Sequence, residues 1–230
     1  MVTNRVIVRL FTRMVMYADM NSNNSFEILL NGAEFLISVP EYRMCPADDG
    51  LEVAFAGRSN AGKSSAINAL VRRRGLAKTS KTPGRTRHLV FFTLDQQRRL
   101  VDLPGYGFAR APADVHWQWE RTIEAYLSQR QSLKGLVLLL DCRRSLMDLD
   151  RQILSWCQAS QMPIHIMLTK ADKLTRNQLN QTRRALEKEI AEMDLVCSIQ
   201  GFSALKNQGI TEARVQLADW FDYRTKKTPA

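Results

Sequence analysis

From residue 51 onward the chain alternates short apolar runs with stretches of helical period. LEVAFAG (51–57) reads as a buried strand that runs straight into a glycine-rich turn, and KSSAINALV (63–71) places apolar residues at helical spacing. HLVFFTLD (88–95) and RRLVDLPG (98–105) predict two strands joined by a tight polar turn, a hairpin. A helical stretch, ADVHWQWERTIEAYLSQRQS (113–132), precedes the central strand GLVLLLDCRR (135–144). LMDLDRQILSWCQAS (146–160) carries a helix face at Leu146, Leu149, Ile153 and Leu154. PIHIMLTKAD (163–172) is a strand ending in a polar loop, and TRNQLNQTRRALEKEIAEM (175–193) is a long polar helix. VCSIQGFSA (196–204) and GITEARVQLADWF (209–221) complete the series as strand and helix. Strands alternating with helices predict an α/β fold, a three-layer sandwich around a six-stranded, mostly parallel sheet. One domain is expected over 45–225, with an N-terminal extension over 1–25 and a basic tail over 226–230.

Composition narrows the class. Hydrophobic residues make up 45% and charged residues 24% of the 230, enough to bury one sizeable core. The longest apolar run, GLVLLL, falls well short of the ~18 residues that a membrane span requires. Cys45, Cys142, Cys157 and Cys197 show no C-x-x-C spacing, which points to reduced thiols and a cytoplasmic location. The first twenty residues carry Arg5, Arg9 and Arg13 and no acid before Asp19, a weak transit-peptide pattern. Later methionines at 14, 16 and 20 equally suggest a mis-assigned start.

Charge adds more. Lys and Arg total 33 against 23 acids, a net +10, which favours a polyanionic partner. Nine basic residues lie between Arg72 and Arg99 (Arg72, Arg73, Arg74, Lys78, Lys81, Arg85, Arg87, Arg98 and Arg99) with Asp95 as the lone acid.

The turn after the first strand, GRSNAGKS (57–64), fits G-x-x-x-x-G-K-[ST] and stands between a strand and a helix, where phosphate binding requires it. Gly57 and Gly62 permit backbone geometry that a Cβ would block. Lys63 would reach the β- and γ-phosphates, and the Ser64 hydroxyl would ligate Mg²⁺. DLPG (102–105) ends a strand, so Asp102 can hold the Mg²⁺ shell through water and the Gly105 N–H can donate to a γ-phosphate. TKAD (169–172) ends a later strand, and its Asp172 carboxylate can accept two hydrogen bonds from guanine that adenine cannot supply. The Lys170 stem can lie along the base plane. In FSALK (202–206) a backbone N–H at Ala204 can bind guanine O6.

Together these segments resemble the boxes of a translation-factor-type GTPase. More narrowly, GRSNAGKSS, KTPGRTRHLVFF, DLPGYGFA, TKADKL and FSA are similar to the bacterial EngB (YihA/YsxC) family of the TrmE-Era-EngA-EngB-septin-like superfamily. That resemblance implies a Ras-like P-loop GTPase fold, GTP and Mg²⁺ binding, and a role in large ribosomal subunit assembly and normal septation. It implies a nucleotide site of Gly57, Arg58, Ser59, Asn60, Ala61, Gly62, Lys63 and Ser64 in the first segment, and of Gly84, Arg85, Thr86, Arg87 and His88 in the second. Asp102, Leu103, Pro104 and Gly105 would follow, then Thr169, Lys170, Ala171 and Asp172, then Phe202, Ser203 and Ala204. The Mg²⁺ ligands would be Ser64 and Thr86, and the catalytic set Lys63, Asn60, Thr86 and Gly105. Thr169 stands where most GTPases have Asn, the form usual in this family.

After Gly105 comes Tyr106, where Ras-like enzymes place a water-orienting Gln, so slow hydrolysis is expected. Asn60 resembles a K⁺ ligand of related GTPases, which makes K⁺ stimulation an expectation; Arg85 and Arg58 are rival arginine fingers, with pairing of Arg85 to RNA phosphate preferred over catalysis. The basic cluster straddles Thr86, in the segment corresponding to switch I, and so predicts contact between that region and the 50S subunit or its rRNA, by a monomer. A septation or cytoskeletal protein whose partner affinity is set by GTP is the alternative. A nucleotide kinase fits less well, for lack of a recognisable lid and because of Asp172. Of Trp117 and Trp119, on different helix faces, one is expected in the core; for the other, an exposed anchor for a partner, core packing and a cap over the phosphate site are equal alternatives.

Overall fold

The computed structural model describes residues 20–78, 88–107, 113–193 and 195–223. The elements in chain order are α1 (Met20–Asn31), β1 (Glu34–Val39), β2 (Leu51–Gly57), α2 (Lys63–Leu70), β3 (Leu89–Thr93), β4 (Arg98–Asp102) and α3 (Ala113–Gln129). They continue with β5 (Leu133–Asp141), α4 (Asp148–Ala159), β6 (Ile164–Thr169), α5 (Arg176–Ala191), β7 (Cys197–Gly201) and α6 (Ile210–Trp220). The strand order is β1-β3-β4-β2-β5-β6-β7. β3 is antiparallel to both β1 and β4, and the pairings from β4 through β7 are parallel.

Side-chain alternation splits the core into two layers, as a sheet covered on both faces requires. Val53, Phe55, Val137, Leu139 and Met167 pack with Phe26, Leu30, Ile67, Leu70 and Leu217 from α1, α2 and α6. Ala54, Ala56, Leu136, Leu138, Ile166 and Leu168 pack with Ile123, Tyr126, Ile153, Leu154 and Ile190 from α3, α4 and α5. Three layers and a mostly parallel sheet are as expected.

Among the described residues the sheet has seven strands, one more than the six that the hydrophobic pattern predicts. The additional one, β1, lies ahead of residue 45 and pairs along the outer edge of β3. Its first five residues are exposed, including Phe35, Leu36 and Ile37 in succession, so the hydrophobic alternation that marks a half-buried strand is missing. The preceding α1 docks through Phe26, whose ring centroid lies 5.0 Å from that of Tyr223, and through Glu27, paired with Arg72 and, at 2.9 Å, with Arg214. The expectations for residues 1–19 and for the tail from 224 onward lie outside the described residues.

Candidate functional site

The C-terminal ends of the parallel strands carry the candidate residues, as open α/β sheets place their ligand sites. β2 ends at Gly57, where a Cβ would come within 2.9 Å of the Leu139 carbonyl oxygen on β5. The chain then turns through Asn60 at φ 63° and Gly62 at φ 95°, both in the left-handed region, before α2 starts at Lys63. Lys63 and Ser64 therefore occupy the first turn of a helix whose unsatisfied N–H groups and dipole favour an anion.

Lys63 is buried and its Nζ pairs with Oδ1 of Asp102, itself buried at the end of β4. Burial pushes the Asp102 carboxyl above its ordinary value, and Lys63 pulls it back only in part. This pair joins the phosphate loop to the segment that leads into Gly105. Leu103 extends the sheet pairing by donating its N–H to Phe55 O at 3.0 Å, and Ser59 N–H donates to Tyr106 O at 2.9 Å. The position a Cβ would take on Gly105 lies 3.7 Å from Gly57 O and from the Ser59 backbone. The Arg58 guanidinium lies over Gly107, where a Cβ would stand 2.7 Å from Cζ.

The base-loop end is built from three strand termini. Thr169 Oγ1, at the end of β6, lies 2.5 Å from Ala61 O in the phosphate loop and 3.1 Å from Leu140 O, so its hydroxyl ties the two loops together. Lys170 follows at φ 58°, and its Nζ pairs with Asp141 at 2.9 Å. Arg143 grips the same carboxylate with Nε at 2.8 Å and Nη2 at 2.7 Å, and these partners hold Asp141 well below the usual carboxylate range. Asp172 accepts from Ser203 Oγ at 2.5 Å, the main reason its carboxyl is held low. Ala171 N–H donates to Phe202 O at 3.1 Å, so TKAD and FSA form one loop pair. Within it Ser203 and Gln208 exchange backbone hydrogen bonds of 3.0 Å, leaving Ala204 in the turn between them.

The structure thus brings Gly57 to Ser64, Asp102 to Gly105, Thr169 to Asp172 and Phe202 to Ala204 to one end of the sheet. His88 stands at the sheet's edge, with Nδ1 3.1 Å from Ser38 Oγ. Gly84, Arg85, Thr86 and Arg87 lie outside the described residues. The basic cluster is less free than its sequence suggests. Arg98 pairs with Asp95 at 2.7 Å, Arg99 with Asp49 at 2.6 Å and Glu52 at 3.2 Å, and Arg72 with Glu27.

Sequence reading missed Asp141, Arg143 and Asp150. The run DCRRS after the central strand was the available signal for the first two. Trp119 Nε1 donates to Pro104 O at 3.1 Å, whereas Trp117 is 58% exposed with Arg121 stacked 4.5 Å from its ring centroid. Tyr106 points into the core, and its hydroxyl donates to Asp150 at 2.6 Å.

Solved structures share this architecture. A crystal structure of a probable GTP-binding protein engB superposes at a TM-score of 0.60 with 20% identity, over 75% of this chain and 100% of that one. A point variant of Era from Aquifex aeolicus, bound to GDP·AlF4⁻, gives 0.55 and 20% over 79% of this chain and 59% of that one. A bacterial selenocysteine-specific elongation factor gives 0.54 and 20% over 78% of this chain, which spans only 30% of that one. The fold is Ras-like. The family profile described as "50S ribosome-binding GTPase" matches residues 52–170, more than half of the chain, from the strand entering the phosphate loop to the lysine of the base loop. The chain belongs to the 50S ribosome-binding GTPase family.

Proposed function

We propose that this is an EngB-type GTP-binding protein, a nucleotide switch in large ribosomal subunit assembly that hydrolyses GTP slowly and supports cell division. The observation that carries this reading is the Thr169–Ala61 hydrogen bond. It couples a loop bearing a guanine-selective carboxylate, Asp172, to a loop bearing a phosphate-binding lysine, Lys63. On this reading Asp172 accepts from guanine N1–H and the 2-amino group, with Ser203 fixing its orientation, while Ala204 N–H meets O6. Lys63 exchanges Asp102 for the β- and γ-phosphates, and Gly105 N–H faces the γ-phosphate.

Ser64 and Asp102 fit Mg²⁺, which takes oxygen donors and keeps several waters. The hydroxyl would bind directly and the carboxylate through water, with Thr86 as the further ligand. When bound, the ion neutralises charge on the phosphates. Asn60, beside the phosphates at the left-handed turn, would hold K⁺. Tyr106, turned into the core, leaves the attacking water without a side-chain base at that position, which supports a slow reaction.

The basic residues flanking the switch I segment would meet rRNA phosphates, and with Arg72, Arg98 and Arg99 committed to acids the contact rests on the remainder of the cluster. Co-sedimentation with 50S particles tests the reading. Binding in a non-hydrolysable GTP analogue should exceed that in GDP and fall steeply as KCl rises, and GTP turnover should be faster in K⁺ than in Na⁺ buffer. Nucleotide-independent, salt-insensitive sedimentation would favour a protein partner instead.

A further inference from the structure

Tyr106 occupies the position of the water-orienting residue in Ras-like enzymes, yet only 2% of it is exposed. Its ring stacks on Trp119, centroid to centroid 5.4 Å, and its hydroxyl ends on Asp150 Oδ1 in the first turn of α4. The second Asp150 oxygen accepts the Met147 N–H at 3.0 Å, so each oxygen of this carboxylate has a partner where it stands. Burial and the adjoining carboxylate hold the phenol protonated far above its ordinary range, which keeps the hydroxyl a permanent donor. A phenylalanine would fill the same space without a buried hydroxyl needing a partner, so packing alone does not account for this arrangement.

The other flank of Gly105 is held as well. Trp119 of α3 donates to Pro104 O at 3.1 Å, and Trp119 is backed by Trp156 of α4 at 6.3 Å between centroids. The residues on either side of Gly105 are therefore gripped by two helices, Pro104 through its carbonyl and Tyr106 through its side chain. From the opposite side the phosphate loop supplies Ser59 N–H to Tyr106 O and the Arg58 guanidinium over Gly107. Gly105 is the small residue between these fixed points.

We propose that Tyr106, Trp119 and Asp150 form a clamp whose function is to aim the Gly105 N–H at a γ-phosphate, making them the positioning residues for telling triphosphate from diphosphate. This rests on the GTP-binding reading above. A diphosphate has no group at that position, so the clamp contributes to GTP affinity and not to GDP affinity. It also explains a bulky aromatic after Gly105: the hydroxyl needs the ring's length to cross from the loop to α4.

The test titrates the full chain with fluorescent N-methylanthraniloyl GDP and the corresponding β,γ-imido-GTP in Mg²⁺, for the wild type, Tyr106→Phe and Trp119→Phe. Both substitutions keep a ring and remove one hydrogen bond, Tyr106→Phe the loop's bond to α4 and Trp119→Phe the bond that α3 makes to the loop. Each should weaken the triphosphate analogue about tenfold, within the range for a hydrogen bond to or from a charged or buried group, while GDP affinity stays within about twofold. An unchanged ratio of the two affinities, whatever happens to the melting temperature, overturns the clamp and leaves Tyr106 as a core residue. A wild type that binds adenine nucleotides as well as guanine nucleotides overturns the GTP reading, and the clamp with it. A wild type selective for guanine whose variants keep the ratio overturns the clamp alone.

Discussion

Thr169 shows how one hydroxyl does the work of a larger side chain. Most GTPases place Asn there; here the shorter Thr reaches Ala61 O at 2.5 Å because the phosphate loop packs close, with the missing Cβ of Gly62 only 3.8 Å from the Thr169 Cβ. The bond lies between the two halves of the site, so losing it should disturb base and phosphate binding together. Thr169→Val keeps the shape and leaves Ala61 O unpaired in a buried setting, a cost of about 1–3 kcal/mol. Calorimetric titration should find GTP and GDP both weakened, by roughly tenfold or more. Loss of GTP binding alone would assign Thr169 a different role. Asp172, by contrast, is set by its neighbour Ser203 and not by the phosphate loop, so on the proposed reading base choice and loop coupling would reside in separate side chains.

The strands and helices that carry the site are pinned by buried polar groups away from it. At the end away from the site, Glu52 on β2 is fully buried and receives Tyr126 Oη at 2.8 Å and Arg130 Nε at 2.9 Å on one oxygen, with Arg130 Nη2 at 2.7 Å on the other. Arg130→Met would strip that carboxylate of its main counter-charge and should cost about 3–5 kcal/mol in a urea melt. Beneath the base loop, Gln200 Nε2 donates to Gly209 O at 2.7 Å, which leaves Oε1 to accept from His165 Nε2–H, while Ser198 faces Nδ1 at 2.7 Å. Burial pushes the His165 imidazole down to about 4. An unfolded histidine takes its proton near 6.5, so between about 6.5 and about 4 the unfolded chain binds a proton that the folded chain refuses. Stability is full above that window and should fall by on the order of 3 kcal/mol across it as pH drops. His165→Gln should flatten this part of the denaturation profile relative to wild type, and a parallel decline in both proteins would contradict the assignment. None of these partnerships was legible beforehand: Glu52 meets Arg130 across 78 positions and Tyr106 meets Asp150 across 44. The elements themselves were legible, because a buried strand or an amphipathic helix writes its period locally. β1 escaped because an exposed edge strand has no buried face to write one.

The phosphate and base loops were likewise readable because each is a short continuous segment whose spacing is its chemistry, and the fold had only to bring them to one end of the sheet. The charge cluster was readable as a count but not as a surface. Arg99 pairs across from β4 to Glu52 on β2, Arg98 pairs with Asp95 in the turn before β4, and Arg72 holds α1, so part of the net +10 serves the fold itself. Central to the proposed function is that a lysine on α2 and an aspartate after β6, in loops joined through Thr169, serve one ligand. Competition for bound fluorescent GDP by unlabelled GTP and ATP, in Mg²⁺ and K⁺, tests that most directly. GTP should displace the probe at a concentration at least about a thousandfold below ATP, the scale set by a buried acceptor left unpaired by the wrong base. Equal displacement by the two triphosphates would contradict the account.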